Sequence, residues 1–483
     1  MNLKTSVLLL LLAASNTFIS AQVSLPKIIG SNMILQREKP LPVWGWAKAG
    51  EAVTVSFAGQ QKATKADVSG YWEVILSPLK ANAKPQEMTI SASNVIKLSN
   101  LLIGEVWLAS GQSNMEYPMN RTLYKYAKPG RGIDSAETEL KNSYPTIRIF
   151  LVEKKLSTPD VTSNGWNEAS GETLERFSAA GFYFAKNIQK DLNVPIGIIS
   201  SSWGGSRIEP WTPAEAYKSL PVFAADVKAN PAVMDGSPVA RNYTSMILPL
   251  APFALRGFLW YQGESNLMVH DGMKYADKMQ ALVEGWRKQW GDNKLPFYYV
   301  QIAPYYYTKR KDKLAHTSET LAELWEAQTQ SLKISETGMA VTTDLVDNLA
   351  DIHPSYKWEV GRRLALLALD KTYDKNVVSS GPVFKKMKVK GNTALLSFSN
   401  DVGLKSSDGK ELTWFTVAGS DGKFVPATAK VVGETVYVSA PGVSKPVNVR
   451  FAWNETAMPN LVNAAGLPAV PFRSNGLQWS YKK

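Results

Sequence analysis

Gly104-Glu105-Val106-Trp107-Leu108-Ala109-Ser110-Gly111-Gln112-Ser113-Asn114-Met115-Glu116 is an apolar run that breaks abruptly into a polar turn. The pattern predicts a buried strand over 105–109, with Ser113 just beyond its end. A helix starting at Asn114 would set free N–H groups and a positive dipole end beside Ser113, where they oppose the charge of a tetrahedral oxyanion. Ser113 and Glu116 also fit a capping box, in which the hydroxyl only closes a helix. On this segment alone the cap is the commoner arrangement.

Outward from this turn, apolar runs at 195–200, 257–260, 297–302 and 339–343 read as further strands. Stretches of helical period lie between and after them at 177–192, 273–290, 320–332 and 355–369. Such alternation over 99–374 predicts an α/β unit, a parallel sheet flanked by helices. Ligands then bind beyond the carboxyl ends of the strands. Residues 117–164 are polar and weakly periodic and read as a long connection or insertion. Short alternating segments with Gly and Pro turns predict a β-sandwich-like domain over 22–98 and a β-rich region over 375–483.

At 483 residues with 45% hydrophobic and 20% charged side chains, the chain has room for two or three cores. Residues 1–21 carry Lys4, an apolar run from Val7 to Ala14 and a polar end at Ser20-Ala21, the layout of a signal peptide. That run falls short of the roughly 20 residues of a spanning helix, so the mature chain is expected to be exported, periplasmic or secreted, without a membrane span. The formal charge of +12 attracts anions. In an exported chain that does not point to nucleic acid, and Lys309-Arg310-Lys311-Asp312-Lys313 reads as a solvated loop. The absence of cysteine removes thiol nucleophiles, disulfides and cysteine-ligated metals.

A serine nucleophile needs a base, and the chain has three histidines, His270, His316 and His353. His270 and His316 fall in polar loops and read as surface residues. His353 follows the 339–343 strand, has Asp351 two positions before it and precedes Pro354, which suits a first helical turn. An imidazolium at a helix start needs a carboxylate to offset the dipole. Asp351 is the nearest, either orienting the ring or capping a helix, with Asp344 and Asp347 as substitutes. Two further strand-end turns, Trp203-Gly204-Gly205-Ser206-Arg207 and Tyr261-Gln262-Gly263-Glu264, offer a close-approaching backbone N–H and the Gln262 amide. Arg207 either pairs with an acidic sugar or forms a structural salt bridge. Tyr305-Tyr306-Tyr307 either makes a sugar platform or splits between core and loop.

These segments, together with Asn32-Met33-Ile34-Leu35-Gln36-Arg37, Trp44-Gly45-Trp46 and Asp351-Ile352-His353-Pro354, resemble the bacterial sialate O-acetylesterases of the SGNH hydrolase superfamily. The resemblance spans the mature chain and implies an SGNH-hydrolase-like, flavodoxin-like sheet. It implies a Ser113 nucleophile, a His353 base with Asp351 as third member, and an oxyanion hole from the Ser113 N–H, Gly205 and Gln262. The wider superfamily has its acid three residues before the histidine, whereas Asp351 is two before, which leaves a serine–histidine dyad open. The implied partner is an acetylated sugar or glycan, sialic acid first and xylan second, with no metal and no cofactor. A glycan-binding protein with an inactive hydrolase domain is the non-enzymatic alternative.

Overall fold

The structure, a computed structural model, describes residues 22–124, 136–477 and 479–481; the expected signal peptide lies outside the described residues. The N-terminal strands are β1 (Ile34–Gln36), β2 (Leu41–Trp46), β3 (Ala52–Phe57), β4 (Gln60–Lys65), β5 (Tyr71–Leu76) and β6 (Asn82–Ser91). Buried and more exposed side chains alternate in β3 and β5, as where Val53, Val55 and Phe57 are buried between more exposed neighbours.

The strand predicted at 105–109 is the end of a much longer one, β7 (Val95–Gly111). Its first part pairs antiparallel with β6. Its last part, buried throughout, pairs in parallel with β10 (Ile196–Ser202) and β13 (Gly257–Tyr261). The expected domain boundary at 98 and 99 thus falls inside one continuous strand.

Around β7 the sheet runs β15-β14-β13-β7-β10-β8-β9, where β8 is Tyr144–Leu151, β9 is Trp166–Ala169, β14 is Phe297–Val300 and β15 is Thr337–Ala340. All neighbours are parallel except the β8–β9 edge. β11 (Val233–Met234) and β12 (Ser237–Pro238) form a separate small hairpin. The helices are α1 (Ser113–Glu116), α2 (Met119–Tyr124), α3 (Ala136–Leu140), α4 (Gly171–Glu175), α5 (Ala179–Leu192), α6 (Ala214–Lys218), α7 (Glu264–Leu267), α8 (Lys274–Trp290), α9 (Thr320–Gln330) and α10 (Lys357–Lys371). The long helices pack as α5 on α10 and α8 on α9. This is the expected α/β architecture. One correction concerns the segment at 117–164: it is not only a connection, because β8 within it joins the central sheet beside β10.

Beyond α10, two four-stranded antiparallel sheets hold Val383–Lys390, Thr393–Ser399, Thr435–Ser439 and Thr428–Val432 in one, and Phe415–Ala418, Val425–Pro426, Asn448–Phe451 and Phe472–Arg473 in the other. Phe384 of the first stacks on Phe472 of the second with ring centroids 4.4 Å apart.

Where β7 enters the parallel sheet, Glu105 is wholly buried. It accepts from Gln36 Nε2 at 3.0 Å, Arg37 Nε at 2.5 Å and Arg256 Nε at 2.6 Å. Gln36 Oε1 in turn accepts the Val106 N–H at 2.8 Å. The N-terminal strands are therefore bonded to the sheet through one buried carboxylate. Glu105→Ala removes the shared carboxylate from two partly exposed guanidinium groups, which keep Glu38 at 3.9 and 3.7 Å, and is expected to cost about 1.5–3 kcal/mol, read as a lower denaturant midpoint.

Candidate active site

Parallel register sets the three strand-end turns side by side. Gly111 of β7 is opposite Ser202 of β10 and opposite Tyr261 of β13. The Gln112 N–H donates to the Tyr261 carbonyl at 3.0 Å, and the Trp203 N–H to the Gly111 carbonyl at 3.1 Å. Gly111 has φ +141, and a Cβ there would lie 2.2 Å from the Tyr261 oxygen, so only glycine lets the chain turn at this point.

Ser113 follows as the first residue of α1, with Gln112 at the N-cap making no side-chain cap bond. The capping box is not formed. Glu116 instead accepts the Gly204 N–H at 2.6 Å and pairs with Lys154 at 2.7 Å. The Ser113 hydroxyl meets His353 Nε2 at 2.8 Å, between residues 240 positions apart.

His353 sits in the loop before α10 rather than in its first turn, because the helix starts at Lys357. Its N–H donates to Asp351 Oδ1 at 3.0 Å, while its Nδ1 lies 3.7 Å from that same oxygen, beyond hydrogen-bond length. Arg121 Nη2 is nearer to Nδ1, at 3.4 Å, and its guanidinium also lies over the Tyr117 ring, 5.0 Å from the centroid. Asp344, one of the two substitutes, is held bidentately by Arg363 at 2.6 and 2.7 Å.

The chain from Trp203 to Ser206 closes a tight turn with the Ser206 N–H on the Trp203 carbonyl at 3.2 Å. Gly205 takes φ +74 there, as its second central position requires. Gly204 packs on the nucleophile candidate itself, with its Cβ position 3.3 Å from Ser113 Cβ. Since Glu116 occupies the Gly204 N–H, Gly205 is the glycine of the pair whose N–H is not spent on that carboxylate. The turn bounds a cleft of about 300 Å³ lined by Trp203, Gly204, Gly205, Ser206 and Pro210, among others.

Gln262 departs from its expected place in an oxyanion hole. It is wholly buried, and its Nε2 donates to Asn266 Oδ1 at 2.7 Å and Gln112 Oε1 at 3.1 Å, while its Oε1 accepts from the Tyr275 hydroxyl at 2.8 Å. Both amide hydrogens are thus directed to protein acceptors. Arg207 takes the second of its two expected roles. It grips Glu209 at 2.6 and 3.1 Å and the carbonyls of Met234 and Asp235 at 3.0 and 2.9 Å, so the structural salt bridge is the arrangement observed.

His270 is exposed, as expected, whereas His316 is not. Their rings meet at 3.0 Å, and His316, its side chain buried, bonds to Asp312 at 2.9 Å. Of the tyrosine run, Tyr307 is buried while Tyr305 and Tyr306 are half-buried, with Lys309 Nζ 3.6 Å from the Tyr306 ring centre.

Sequence reasoning missed a buried polar group under the serine and histidine. Asn114 Nδ2 donates to Glu264 Oε1 at 2.5 Å and to the Ile352 carbonyl at 3.1 Å. Asn114 Oδ1 accepts from Lys357 Nζ at 2.7 Å, and Lys357 also donates to the Pro354 carbonyl at 2.6 Å. Burial pushes the Lys357 ammonium down to about 7, against the pull of Glu264, and burial likewise raises Glu264. The lysine at the start of a helical pattern gave no sign of this, since such residues usually face water.

The chain is similar to known carbohydrate esterases. The family model for carbohydrate esterases, sialic acid-specific acetylesterase, matches residues 103–370. The chain is 28% identical to the human sialate O-acetylesterase across 92% of this chain and 91% of that protein. It is 28% identical to the rat sialate O-acetylesterase across 88% of each. A crystal structure of a carbohydrate acetylesterase from Xanthomonas citri superposes with a TM-score of 0.84 and 34% identity, covering 94% of this chain and 100% of that one.

Gln262→Ala removes three buried side-chain hydrogen bonds, but Asn266 Oδ1 keeps the Ile208 N–H, Gln112 Oε1 keeps the Gly263 and Ser265 N–H groups, and the Tyr275 hydroxyl keeps the carbonyl of residue 262. It is expected to cost about 0.5–1.5 kcal/mol for each bond lost, measured by denaturant unfolding.

Proposed function

The chain belongs to the sialic acid-specific acetylesterase family of carbohydrate esterases, and from that membership we propose that it removes acetyl groups from O-acetylated sialic acid through an acetyl-enzyme on Ser113. The 2.8 Å contact between Ser113 and His353 carries this reading, because the fold spends two distant loops to make it. A neutral imidazole accepting at Nε2 takes the hydroxyl proton as the oxygen attacks the acetyl carbonyl. The oxyanion is met by backbone N–H groups of Ser113 and Gly205, with Gln262 holding the neighbouring turn. Collapse returns the proton to the sugar hydroxyl, and water then repeats the sequence to release acetate.

In this scheme Asp351 aligns His353 mainly through its backbone N–H, so a serine–histidine dyad does the proton transfer. The basic chain, its formal charge +12, suits an acidic sugar over neutral xylan. Export to the periplasm or beyond, with loss of residues 1–21, is part of the same proposal. N-terminal sequencing of the mature protein checks it.

Ser113→Ala and His353→Ala are each expected to abolish acetate release while unfolding at nearly the wild-type temperature, since members of one catalytic unit fail together. Asp351→Asn should lose less; a loss as deep as that of the serine variant would make it a full third member. Parallel assays on acetylated sialic acid, acetylated xylan and an aryl acetate decide the sugar, and preference for xylan refutes the sialate assignment. Arg121→Gln removes a positive charge beside the imidazole, which favours its protonated form. The acid limb of the pH–rate profile is therefore expected to move to higher pH.

A further inference from the structure

His353 is flanked by two carbonyls, those of Ile352 and Pro354, and both are held from beneath by buried side chains. Asn114, the residue after Ser113, takes the Ile352 carbonyl at 3.1 Å, and Lys357 takes the Pro354 carbonyl at 2.6 Å. The two holders are bonded to each other at 2.7 Å, and Asn114 is bonded in turn to Glu264 at 2.5 Å. Lys357 is 0% exposed and Glu264 1% exposed, so neither touches a substrate. Lys357 Nζ is further enclosed by the Tyr117 and Tyr261 rings, with centroids at 4.7 and 5.4 Å. Burying two ionisable groups this deeply is costly, and a serine hydrolase needs neither of them for proton transfer.

We propose that Lys357 is a positioning residue of the reaction, acting with Asn114 and Glu264 as a buried clamp that fixes the His353 loop at hydrogen-bonding height over Ser113. Three loops meet in it. Asn114 comes from the serine turn, Glu264 from the turn after β13, and Lys357 from the start of α10 four residues past the histidine. Asn114 supplies both polarities at once, accepting from the lysine and donating to the carboxyl and to the loop. An amine at Nζ retains two N–H donors when neutral, so the two bonds persist whether or not it carries the extra proton. The charged and titratable groups facing Lys357 are Glu264 and Asp351, which favour its charged form, Arg121, which opposes it, and the phenols of Tyr117 and Tyr261. The clamp is thus a matter of geometry, and its loss lets the imidazole drift from the hydroxyl.

This inference rests on the esterase reading, and its test separates the two. Lys357→Met and the double variant Lys357→Met with Glu264→Gln are made in the full chain. Readouts are kcat and KM on an aryl acetate, thermal unfolding, and the rate at which a fluorophosphonate labels Ser113. The single variant leaves Glu264 without the nearby opposite charge and is expected to lose both stability and rate. The double variant removes both ionisable groups and is expected to regain stability. Its kcat and labelling rate should nevertheless stay about 10- to 100-fold below wild type, with KM changed less than about threefold, as displacement of a catalytic group predicts. A stable double variant that labels and turns over at wild-type rates overturns the clamp. Wild-type protein that labels at Ser113 but releases no acetate from any acetylated sugar counts against the substrate reading alone, and the labelling ratio still decides the clamp. Wild-type protein that does not label overturns both.

Discussion

Everything at the site depends on the hydrogen-bond register of three parallel strands. Neighbouring strands in a sheet lie about 4.8 Å apart. Pairing Gly111 with both Ser202 and Tyr261 therefore brings three turns to one level at the sheet's edge. A slip of one residue would reverse every side chain on the shifted strand and carry its turn away from the others. Two cross-turn bonds, Gln112 to Tyr261 and Trp203 to Gly111, continue the ladder past the strand ends. The nucleophile candidate is consequently placed by backbone, and its hydroxyl is left with the imidazole as partner.

Register alone does not explain why β7 stays in place, since a strand is only as fixed as its buried polar groups allow. The Glu105 cluster answers that at the opposite end. Arg37 and Gln36 come from the N-terminal strands and Arg256 from the residue before β13, so one carboxylate ties the entry of two central strands to the β domain. The C-terminal region does comparable work on the other side. Arg473 pairs with Glu326 of α9 at 2.7 Å, Arg450 reaches Glu319 at 2.8 Å, and Glu455 holds the Thr308 N–H at 2.9 Å. Neither β region supplies a residue to the serine–histidine contact; the N-terminal one braces the strand that leads to Ser113, and the C-terminal one braces α9 and the loop at Thr308.

What was legible in the sequence follows from these same constraints. Parallel strands buried on both faces read as continuous apolar runs, so β7, β10, β13, β14 and β15 stood out, and residues just past them were natural candidates. β8 was missed because Tyr144-Pro145-Thr146 opens it and Arg148 interrupts it, although Arg148 is buried against Glu168. Ser113 and His353 were legible because one follows a strand and the other is among only three histidines. Arg207 takes the structural salt bridge that its sequence left open, to Glu209 two residues on, whereas Gln262 was placed correctly in the chain but spends its amide on Asn266, four residues on, and on Gln112, which only the fold brings near. The Lys357 clamp was invisible because it joins residues 114, 264 and 357.

The arrangement around His353 Nδ1 bears on how the base is tuned. A guanidinium can only donate, so an Arg121 bond to Nδ1 selects the tautomer with hydrogen on Nε2, whereas taking the serine proton needs Nε2 bare. The two tautomers carry the same number of protons and differ in which ring nitrogen holds the hydrogen, a bare Nδ1 suiting Arg121 at 3.4 Å and a protonated one suiting Asp351 at 3.7 Å. Arg121 and Asp351 thus oppose each other at the imidazole, the guanidinium disfavouring the charged ring and the carboxylate favouring it. The backbone of His353 is held through Asp351, Ile352 and Pro354, so the ring's orientation between them is set by the side-chain torsions alone.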